Sequence, residues 1–225
     1  MNIAVIQSPG SNCDQDALYA LRNQFGADAR YVWHDDSSLH GFDAVVIPGG
    51  FTYGDYLRGG AIASRAKIMS EVVRFANEGR LVLGICNGFQ ILTELGLLPG
   101  ALIRNGGLRF VCKKVQIAAV NKTSPWTKNV DRVLTVPVAH NEGRYVADET
   151  TLEALRRQNR IAFRYCDPSG SFTPESNPNG AADSIAGVLN EQGNVLGLMP
   201  HPERAVDTLL GGEDGRLILG CLVGA

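Results

Sequence analysis

A single cysteine interrupts the apolar run LVLGICNGFQIL at residues 81–92, and a glycine stands two residues away on either side. Cys86 lies between Gly84 and Gly88 in the spacing G-x-C-x-G. This spacing is typical of a nucleophile elbow, in which a strand turns sharply into a helix and presents the nucleophile above the sheet. The positive end of the helix favours the reactive thiolate. The alternative is a buried structural cysteine in a strand–helix turn, since free cysteine is a common core residue.

A thiolate that carries out acyl transfer needs a proton shuttle, and His201 is the favoured candidate among the four histidines. It follows the apolar run VLGLM and lies between Pro200 and Pro202, which fix the backbone on either side. Glu203 comes two residues later, and side chains at i and i+2 of an extended stretch point the same way. The sequence therefore predicts a triad of Cys86, His201 and Glu203, in which the carboxylate orients the imidazole. The competing interpretation is a surface histidine beside a turn.

A second histidine with the same downstream carboxylate is the rival base. His140 stands in PVAHNEG, with Glu142 two residues further on. It follows a strand in a segment without alternating strands and helices, whereas active sites of α/β proteins gather at the strand ends of the parallel sheet. His201 is therefore the predicted base.

Backbone N–H groups are the predicted donors to the oxyanion of an acyl-transfer reaction. Gly49 and Gly50 end an apolar strand, and glycine allows the backbone to approach a ligand closely. The second donor is the N–H of Asn87, directly after the nucleophile, as in other elbows. The alternative for the two glycines is an ordinary loop.

Short apolar strands alternate with amphipathic helices over the first hundred residues. The predicted strands are NIAVIQ, ARYVWH, FDAVVI and LVLGI. The predicted helices carry apolar stripes at 17–25, 64–79 (with Ser64 as a possible cap) and in NGFQILTELG. Strands without alternation, separated by helices, are typical of βαβ units. We therefore expect an α/β fold with a mostly parallel central sheet flanked by helices.

The later part of the chain predicts an additional antiparallel section. The long strands FVCKKVQIAAV and RVLTVPVAH have no helix between them. Further predicted elements are a helix at 150–159 with capping-box spacing at Thr150 and Glu153, the strand IAFRYC, an exposed loop over 167–184, and a hairpin of SIAGVLN and NVLGLMPH around EQG. Since no linker divides the chain, we expect one domain spanning residues 1–225.

Composition restricts the classes of function. The 225 residues are 44% hydrophobic and 20% charged, with a formal charge of −2, which argues against non-specific binding to nucleic acid or anionic membranes. In the most basic run, residues 104–114, apolar residues separate the charges, a pattern typical of a solvated strand face. The five cysteines are scattered and form no CxxC pair, so we expect a cytoplasmic protein with neither a disulfide framework nor a zinc site. No signal peptide, membrane-spanning run, phosphate-binding loop or HExxH motif is recognisable.

Several motifs together resemble the class I (triad) glutamine amidotransferases. They are PGG near residue 50, GICNGFQ around Cys86 and MPHPER around His201. The resemblance extends over nearly the whole chain to the glutaminase subunits of phosphoribosylformylglycinamidine synthases. It rests there on SPGSNCD, IPGGFTYGDYLR, LGICNGFQILTELGLLPG and MPHPERAVD.

The resemblance implies a flavodoxin-like fold and a glutaminase reaction in de novo purine synthesis. Cys86 would attack the side-chain amide of glutamine to give a glutamyl thioester and ammonia. His201 would protonate the ammonia and activate water, Glu203 would orient the imidazole, and Gln90 matches a position that helps to hold the glutamine.

The resemblance also implies partners. Ammonia would pass to a separate large synthetase subunit, which uses ATP and Mg²⁺ to amidate formylglycinamide ribonucleotide. A small accessory subunit is expected in the complex, and no cofactor is expected in this chain. Partner binding is expected to complete the oxyanion site, which would leave the isolated chain poorly active.

Two positions depart from the family pattern, and three other functions stay open. Gly59 stands where cysteine is common, and Asn141 where glycine is common. The alternatives are a free-standing thiol hydrolase on the same fold, a glutaminase domain of another synthase, and a non-enzymatic nucleotide-binding or interaction module in which Cys86 is merely buried.

Overall fold

The computed structural model describes residues 1–224, which form eleven strands and five α-helices. The strands are β1 (Asn2–Gln7), β2 (Asp28–Trp33), β3 (Ala44–Ile47), β4 (Leu81–Ile85), β5 (Ala101–Ile103), β6 (Val111–Ala119), β7 (Leu134–His140), β8 (Arg144–Val146), β9 (Ile161–Cys166), β10 (Ile185–Leu189) and β11 (Val195–Leu198). The helices are α1 (Asp14–Tyr19), α2 (Ile68–Asn77), α3 (Asn87–Glu94), α4 (Glu149–Arg157) and α5 (Arg216–Leu219). A π-helical turn, Ala20–Gln24, continues α1.

Nine strands form one sheet in the order β2-β1-β3-β4-β11-β10-β9-β6-β7. The first five run parallel, in the strand order of flavodoxin-like doubly wound proteins. From β11 onward each strand pairs antiparallel with the next. Strands β5 and β8 form a separate two-stranded ladder. The predicted flavodoxin-like α/β fold with an antiparallel section is confirmed.

The burial of each strand follows its place in the sheet. Every residue of β3, β10 and β11 is buried, as expected for strands covered on both faces. In β7, buried and half-buried residues alternate, because one face of this antiparallel strand is less covered. The apolar runs without alternation therefore identified the central strands correctly.

The structure corrects the starts of two predicted helices. Helix α2 begins at Ile68, because Ser64 lies in a separate 3₁₀ turn and its hydroxyl donates to the carbonyl of Ala61 at 2.9 Å. Ser64 is therefore not a helix cap. Helix α4 begins after Asp148, whose carboxylate accepts from the Thr151 N–H at 2.7 Å, so the predicted capping box at residues 150 and 153 is also wrong. Asp148 is an N-cap residue of a preferred type, placed earlier in the chain than the sequence pattern indicated.

The segment between β9 and β10 is the predicted loop, with two short 3₁₀ turns, but exposed and half-buried residues are interspersed along it, so it is less exposed than predicted. Asn179 and Ala181 are buried, and the Asn179 side chain donates to the carbonyl of Gly143 at 2.7 Å. None of the helices within residues 1–224 is both long enough and apolar enough to cross a membrane. The last residue of the predicted domain, Ala225, lies outside the described residues.

Candidate active site

Cys86 forms the turn between β4 and α3. Its φ of 51° and ψ of −103° are strained values for a residue with a side chain. The turn is held from the next strand, because the Cys86 N–H donates to the carbonyl of Leu198 at 2.8 Å. The residue is 6% exposed, and its sulfur lies 3.7 Å from the carbonyl oxygen of Ala139. The strained turn agrees with the predicted nucleophile elbow.

The two glycines of the motif let α3 begin directly on the sheet. A Cβ on Gly84 would lie 2.6 Å from the carbonyl oxygen of Gly88. A Cβ on Gly88 would overlap the carbonyl oxygen of Ile47, at the end of β3. A side chain at either position would push α3 away and move the Cys86 turn with it.

His201 and Glu203 form a buried pair beside this turn. The imidazole Nδ1 lies 2.6 Å from Glu203 Oε1, and both side chains are at most 2% exposed. The His201 N–H donates to the carbonyl of Pro137 at 2.8 Å, which ties the residue to β7. The expected extended backbone is wrong, because Pro202 begins a 3₁₀ turn over Pro202–Arg204. The turn nevertheless brings the carboxylate to the ring.

The surroundings of His201 favour its protonated form. Burial alone lowers the pKa of the imidazole, but the negative charges of Glu203 and Cys86 oppose it. The nearby sulfurs of Cys13 and Cys86 add smaller contributions in the same direction. Together these groups raise the pKa of His201 well above its ordinary value. The buried Nε2 forms no directed hydrogen bond with the described protein atoms, so it is available to a reacting group.

The predicted oxyanion residues lie around the same point. A Cβ on Gly49 would lie 2.7 Å from His201 Cε1 and 3.3 Å from Cys86 Cβ. Gly50 has a φ of 152°, and a Cβ there would lie 2.7 Å from the carbonyl oxygen of Gly10. Asn87 is the first residue of α3, and N–H groups of a first helical turn have no carbonyl partner within the helix. The structure thus brings all three positions to the elbow.

A cavity of about 250 Å³ opens beside Cys86 and contains both predicted and unexpected residues. Its lining includes Gly50, Asp55, Cys86, Gln90, Arg104, His140, Asn141 and Glu142. A larger cavity, about 390 Å³, lies against Glu203, Arg204 and Asp16, and Cys86 is not among its lining residues. We therefore take the smaller cavity as the candidate substrate site.

Side-chain amides fix one wall of this cavity. Asn87 Nδ2 donates to Gln90 Oε1 at 2.7 Å, and Gln90 Nε2 donates to the carbonyl of Glu142 at 2.6 Å. The Thr52 hydroxyl donates to Asn87 Oδ1 at 2.5 Å. Gly59, one of the departures from the family pattern, packs directly on Gln90, because a Cβ there would crowd the amide. A glycine at this position leaves the amide chain undisturbed.

His140 lines the cavity, and no carboxylate of residues 1–224 pairs with its ring. Asn105 Nδ2 donates to the carbonyls of Arg109 and His140, so Oδ1 is the acceptor; it receives the Gly143 N–H at 3.0 Å and lies 3.1 Å from His140 Nδ1. Nδ1 must then carry the proton, which leaves Nε2 as an unprotonated, buried acceptor. Burial, with the charge of His201, lowers the pKa of His140 to about 4. A neutral imidazole held by an amide is a poor counterpart of the His201–Glu203 pair, which supports His201 as the base.

Sequence reasoning missed three charged residues at the cavity. The sequence pattern predicts a solvated strand face for Arg104 and no ligand role for Asp55 or Glu142. Glu142 Oε2 accepts from the Gly59 N–H at 2.9 Å, and Arg104 Nε lies 3.9 Å from Glu142 Oε1. Burial raises the pKa of Asp55. Hydrogen bonds from Gly60 and Asn87 lower this pKa in part, and the nearby negative charge of Glu142 raises it further. These residues come from three separate loops, so no local pattern joins them.

The side chains behind the imidazole bring together ligand types that zinc uses. One ligand atom each of Cys13, His201 and Glu203 lies within 4.8 Å of the others. Two contacts oppose a cation there: Arg204 Nη2 lies 3.2 Å from the Cys13 sulfur, and His201 Nδ1 is engaged by Glu203. We therefore do not assign a metal centre to this cluster.

Comparison with known proteins agrees with the fold. Residues 1–211 match the CobB/CobQ-like glutamine amidotransferase domain, and the chain belongs to this family. The resemblance to the triad glutamine amidotransferases is thereby confirmed.

Individual relatives are more specific. A phosphoribosylformylglycinamidine synthase subunit PurQ from Salinibacter ruber is 53% identical, over 97% of this chain and 94% of the relative. A protein of the same name from Moorella thermoacetica is 52% identical, over 99% and 95%. The solved structure of PurLQS from Thermotoga maritima matches with a TM-score of 0.87 at 43% identity, over 99% of this chain and 97% of that chain. A glutamine amidotransferase from Thermotoga maritima, at 14% identity and a TM-score of 0.59 over 99% and 90%, shares the fold alone.

Proposed function

We propose that this chain is the glutaminase subunit of a phosphoribosylformylglycinamidine synthase, with residues 1–225 as one domain. The observation that carries the proposal is the strained Cys86 elbow beside a buried His201–Glu203 pair, in a chain more than half identical to the PurQ relatives over nearly its full length. The reaction is hydrolysis of glutamine to glutamate and ammonia. The ammonia then serves the synthesis of formylglycinamidine ribonucleotide.

The cavity beside Cys86 has charges that complement the head group of an amino acid. Arg104 is positively charged and suits the α-carboxylate, while Asp55 and Glu142 suit the α-ammonium group. Gln90 is held rigidly by its two hydrogen bonds and forms the wall along which the glutamine side chain extends. We infer that these groups direct the carboxamide toward the sulfur of Cys86.

The first half of the reaction forms a thioester and releases ammonia. The Cys86 thiolate attacks the carboxamide carbon, and the C–S bond forms as the carbonyl π electrons move to oxygen. The N–H groups of Asn87 and of Gly50 or Gly49 stabilise that oxyanion. The imidazolium of His201 donates its Nε2 proton to the leaving nitrogen, the C–N bond breaks, and ammonia departs.

The second half of the reaction restores the thiolate. The now neutral Nε2 of His201 takes a proton from water, and the hydroxide adds to the thioester carbon. Collapse of the second tetrahedral intermediate breaks the C–S bond and gives glutamate. Throughout, Glu203 keeps Nδ1 protonated and stabilises the imidazolium, the role of the third member of a triad. No step requires a cofactor in this chain.

We propose that a large synthetase subunit receives the ammonia and uses ATP with Mg²⁺, and that a small accessory subunit completes the complex. Support comes from the PurLQS structure of the Thermotoga maritima relative. The loop after β3 also exposes large side chains next to the cavity: Phe51 at 49%, Tyr56 at 86% and Leu57 at 78%. Aromatic and apolar side chains exposed in this way suit a protein interface. The five free cysteines favour a reducing compartment, and we propose the cytoplasm.

The alternatives predict different behaviour at Cys86. An interaction module would retain its function in a Cys86→Ala variant. A free-standing thiol hydrolase would be fully active without a partner. A glutaminase of another synthase would hydrolyse glutamine but would not support formylglycinamidine synthesis. The relatives favour the proposed synthase over this last alternative.

The test is alkylation by a diazo-ketone analogue of glutamine, located by peptide-mapping mass spectrometry, with and without the large subunit. We expect one adduct on Cys86, prevented by glutamine and absent in Cys86→Ser, and faster formation in the complex. Exposed Cys112 serves as an internal control for non-specific alkylation. An adduct confined to another cysteine would refute the triad, and absence of an adduct in both conditions would refute the glutaminase.

A further inference from the structure

A second buried thiol lies behind the proposed triad and takes no part in the reaction steps. Cys13 immediately precedes α1 and is 4% exposed. Its N–H donates to the carbonyl of Gly49 at 3.2 Å, which fixes the start of α1 to the end of β3. Because Gly49 also contacts the ring of His201, the thiol is held at a fixed place relative to the imidazole.

The sulfur of Cys13 lies close to the imidazole of His201. Cys13 precedes α1, whereas the nucleophile Cys86 precedes α3. A Cβ on Gly49 would lie 3.3 Å from Cys13 Sγ, 2.7 Å from His201 Cε1 and 3.3 Å from Cys86 Cβ, so three side chains converge on this glycine. Ligand atoms of Cys13, His201 and Glu203 lie within 4.8 Å of one another. Two sulfurs and one carboxylate therefore lie close to the ring. The carboxylate of Glu203 engages Nδ1, and the sulfurs are near enough to act on the charge of the imidazolium.

A guanidinium group orients the second sulfur. Arg204 Nη2 donates to Cys13 Sγ at 3.2 Å, and Arg204 Nε donates to Asp16 Oδ2 at 2.8 Å. Arg204 belongs to the same 3₁₀ turn as Glu203. A sulfur that is held by a cation on one side can still stabilise a nearby imidazolium on the other, because it has several lone pairs and is readily polarised. Asp16, Arg204 and Cys13 thus form a series of hydrogen bonds that leads to the imidazole of His201.

We propose that Cys13, oriented by Arg204 and Asp16, is a positioning residue that holds the imidazole of His201 between Cys86 and Glu203 and stabilises its protonated form. The inference rests on the proposed glutaminase function and adds a residue to its machinery. Cys13 touches neither the substrate carbon nor the leaving nitrogen. Its effect passes through the orientation and charge of the ring.

The pH profile of the reaction reports on this contact. The charged and titratable groups that face the ring are Cys13, Cys86, His140, Glu203 and Arg204. Of these, Cys13 is removable without loss of the nucleophile, the carboxylate or the cation. Since Cys13 stabilises the imidazolium, its removal moves the basic limb of kcat/KM for glutamine to lower pH.

The experiment compares Cys13→Ala and Cys13→Ser with the unmodified chain, each assembled with its synthetase subunit. Glutaminase kcat and kcat/KM are measured over a range of pH from mildly acidic to basic, together with alkylation of Cys86 by the diazo-ketone and thermal unfolding. We expect kcat for Cys13→Ala to fall about 10- to 100-fold with little change in KM, as for a misplaced catalytic group. The basic limb moves down by about half to one pH unit. Cys13→Ser keeps an acceptor and recovers part of both effects.

Exposed Cys112→Ala is the matched control and is expected to overlay the unmodified profile. The proposal would be overturned if the basic limb of the kcat/KM profile did not move in Cys13→Ala. Reduced thermal stability would not rescue it, because loss of packing lowers stability without moving that limb. If Cys13→Ala does not fold, Cys13→Ser decides the question. An unmoved basic limb and an unchanged kcat in that variant would refute the proposal. Failure of the glutaminase function itself is distinguishable, since the unmodified chain would then show neither activity nor a Cys86 adduct.

Discussion

The neutral, amide-held state of His140 predicts a specific loss of stability in acid. Its pKa is lowered from 6.5 to about 4 in the folded protein, mainly by burial. Between these values the unfolded chain binds a proton that the folded protein does not, so stability falls as the pH falls from about 6.5 to 4. A difference of this size corresponds to about 3 kcal/mol of unfolding free energy. Above about pH 6.5 both states are neutral at this residue, and the effect disappears.

The variant His140→Asn isolates this contribution. The Asn amide can still donate to Asn105 Oδ1, as His140 Nδ1 does at 3.1 Å, but it does not titrate. We expect the difference in unfolding free energy between the two proteins to change by about 3 kcal/mol from about pH 7 to about pH 4, with the unmodified protein losing more. Urea unfolding followed by circular dichroism at several pH values measures it.

A second readout tests the tautomer directly. Imidazole ¹⁵N spectra are expected to show a proton on Nδ1 of His140 and none on Nε2 down to about pH 5. The exposed His40→Asn variant is the control, and its stability should run parallel to that of the unmodified protein. Two results would refute this reasoning about His140. One is a plot of unfolding free energy against pH for His140→Asn that runs parallel to that of the unmodified protein. The other is a proton on Nε2 of His140 at neutral pH.

Three further outcomes are expected. Gly88→Ala overlaps the carbonyl of Ile47 and should lower unfolding free energy by several kcal/mol and abolish alkylation at the elbow, whereas Gly107→Ala, with open space around it, should be neutral in denaturation. Glu203→Gln removes the buried anion, and steady-state assays should show kcat reduced about 100-fold or more with normal folding. Asn194→Ala removes hydrogen bonds to two carbonyls, at 2.8 and 2.7 Å, and chemical denaturation should show a loss of about 2 kcal/mol with unchanged glutamine KM. A normal melting curve for Gly88→Ala, an active Glu203→Gln or an unaffected Asn194→Ala would contradict the respective argument.

The sequence predicted best where one local pattern determined the structure. The unbroken apolar runs identified β3, β4 and β11, because strands covered on both faces leave no polar positions. The G-x-C-x-G spacing located the elbow, because the turn itself excludes side chains at Gly84 and Gly88. Where several residues offered a plausible helix start, as at Ser64, the pattern could not choose between them.

The sequence failed where distant loops meet. Arg104, Asp55 and Glu142 come together only through the fold, and nothing in their immediate neighbours marks them as ligands. The state of His140 depends on the amide of Asn105, which is distant in sequence and is oriented by the carbonyls of Arg109 and of His140 itself. Cys13 lies in a recognised motif, but its contact with Arg204 joins opposite ends of the described sequence.

The central position of β11 governs when the site can form during synthesis and folding. Although β11 comes late in the chain, it lies between β4 and β10. Within the described residues it is the strand that joins the parallel half of the sheet to the antiparallel half. Its carbonyl at Leu198 also holds the Cys86 turn, and His201 follows soon after it. Pairing between segments so distant in sequence is a slow step in folding. During synthesis, Cys86 is therefore made well before β11, the strand that fixes the geometry of its turn. Cys86 and His201 come together only when β11 has joined the two halves of the described sheet.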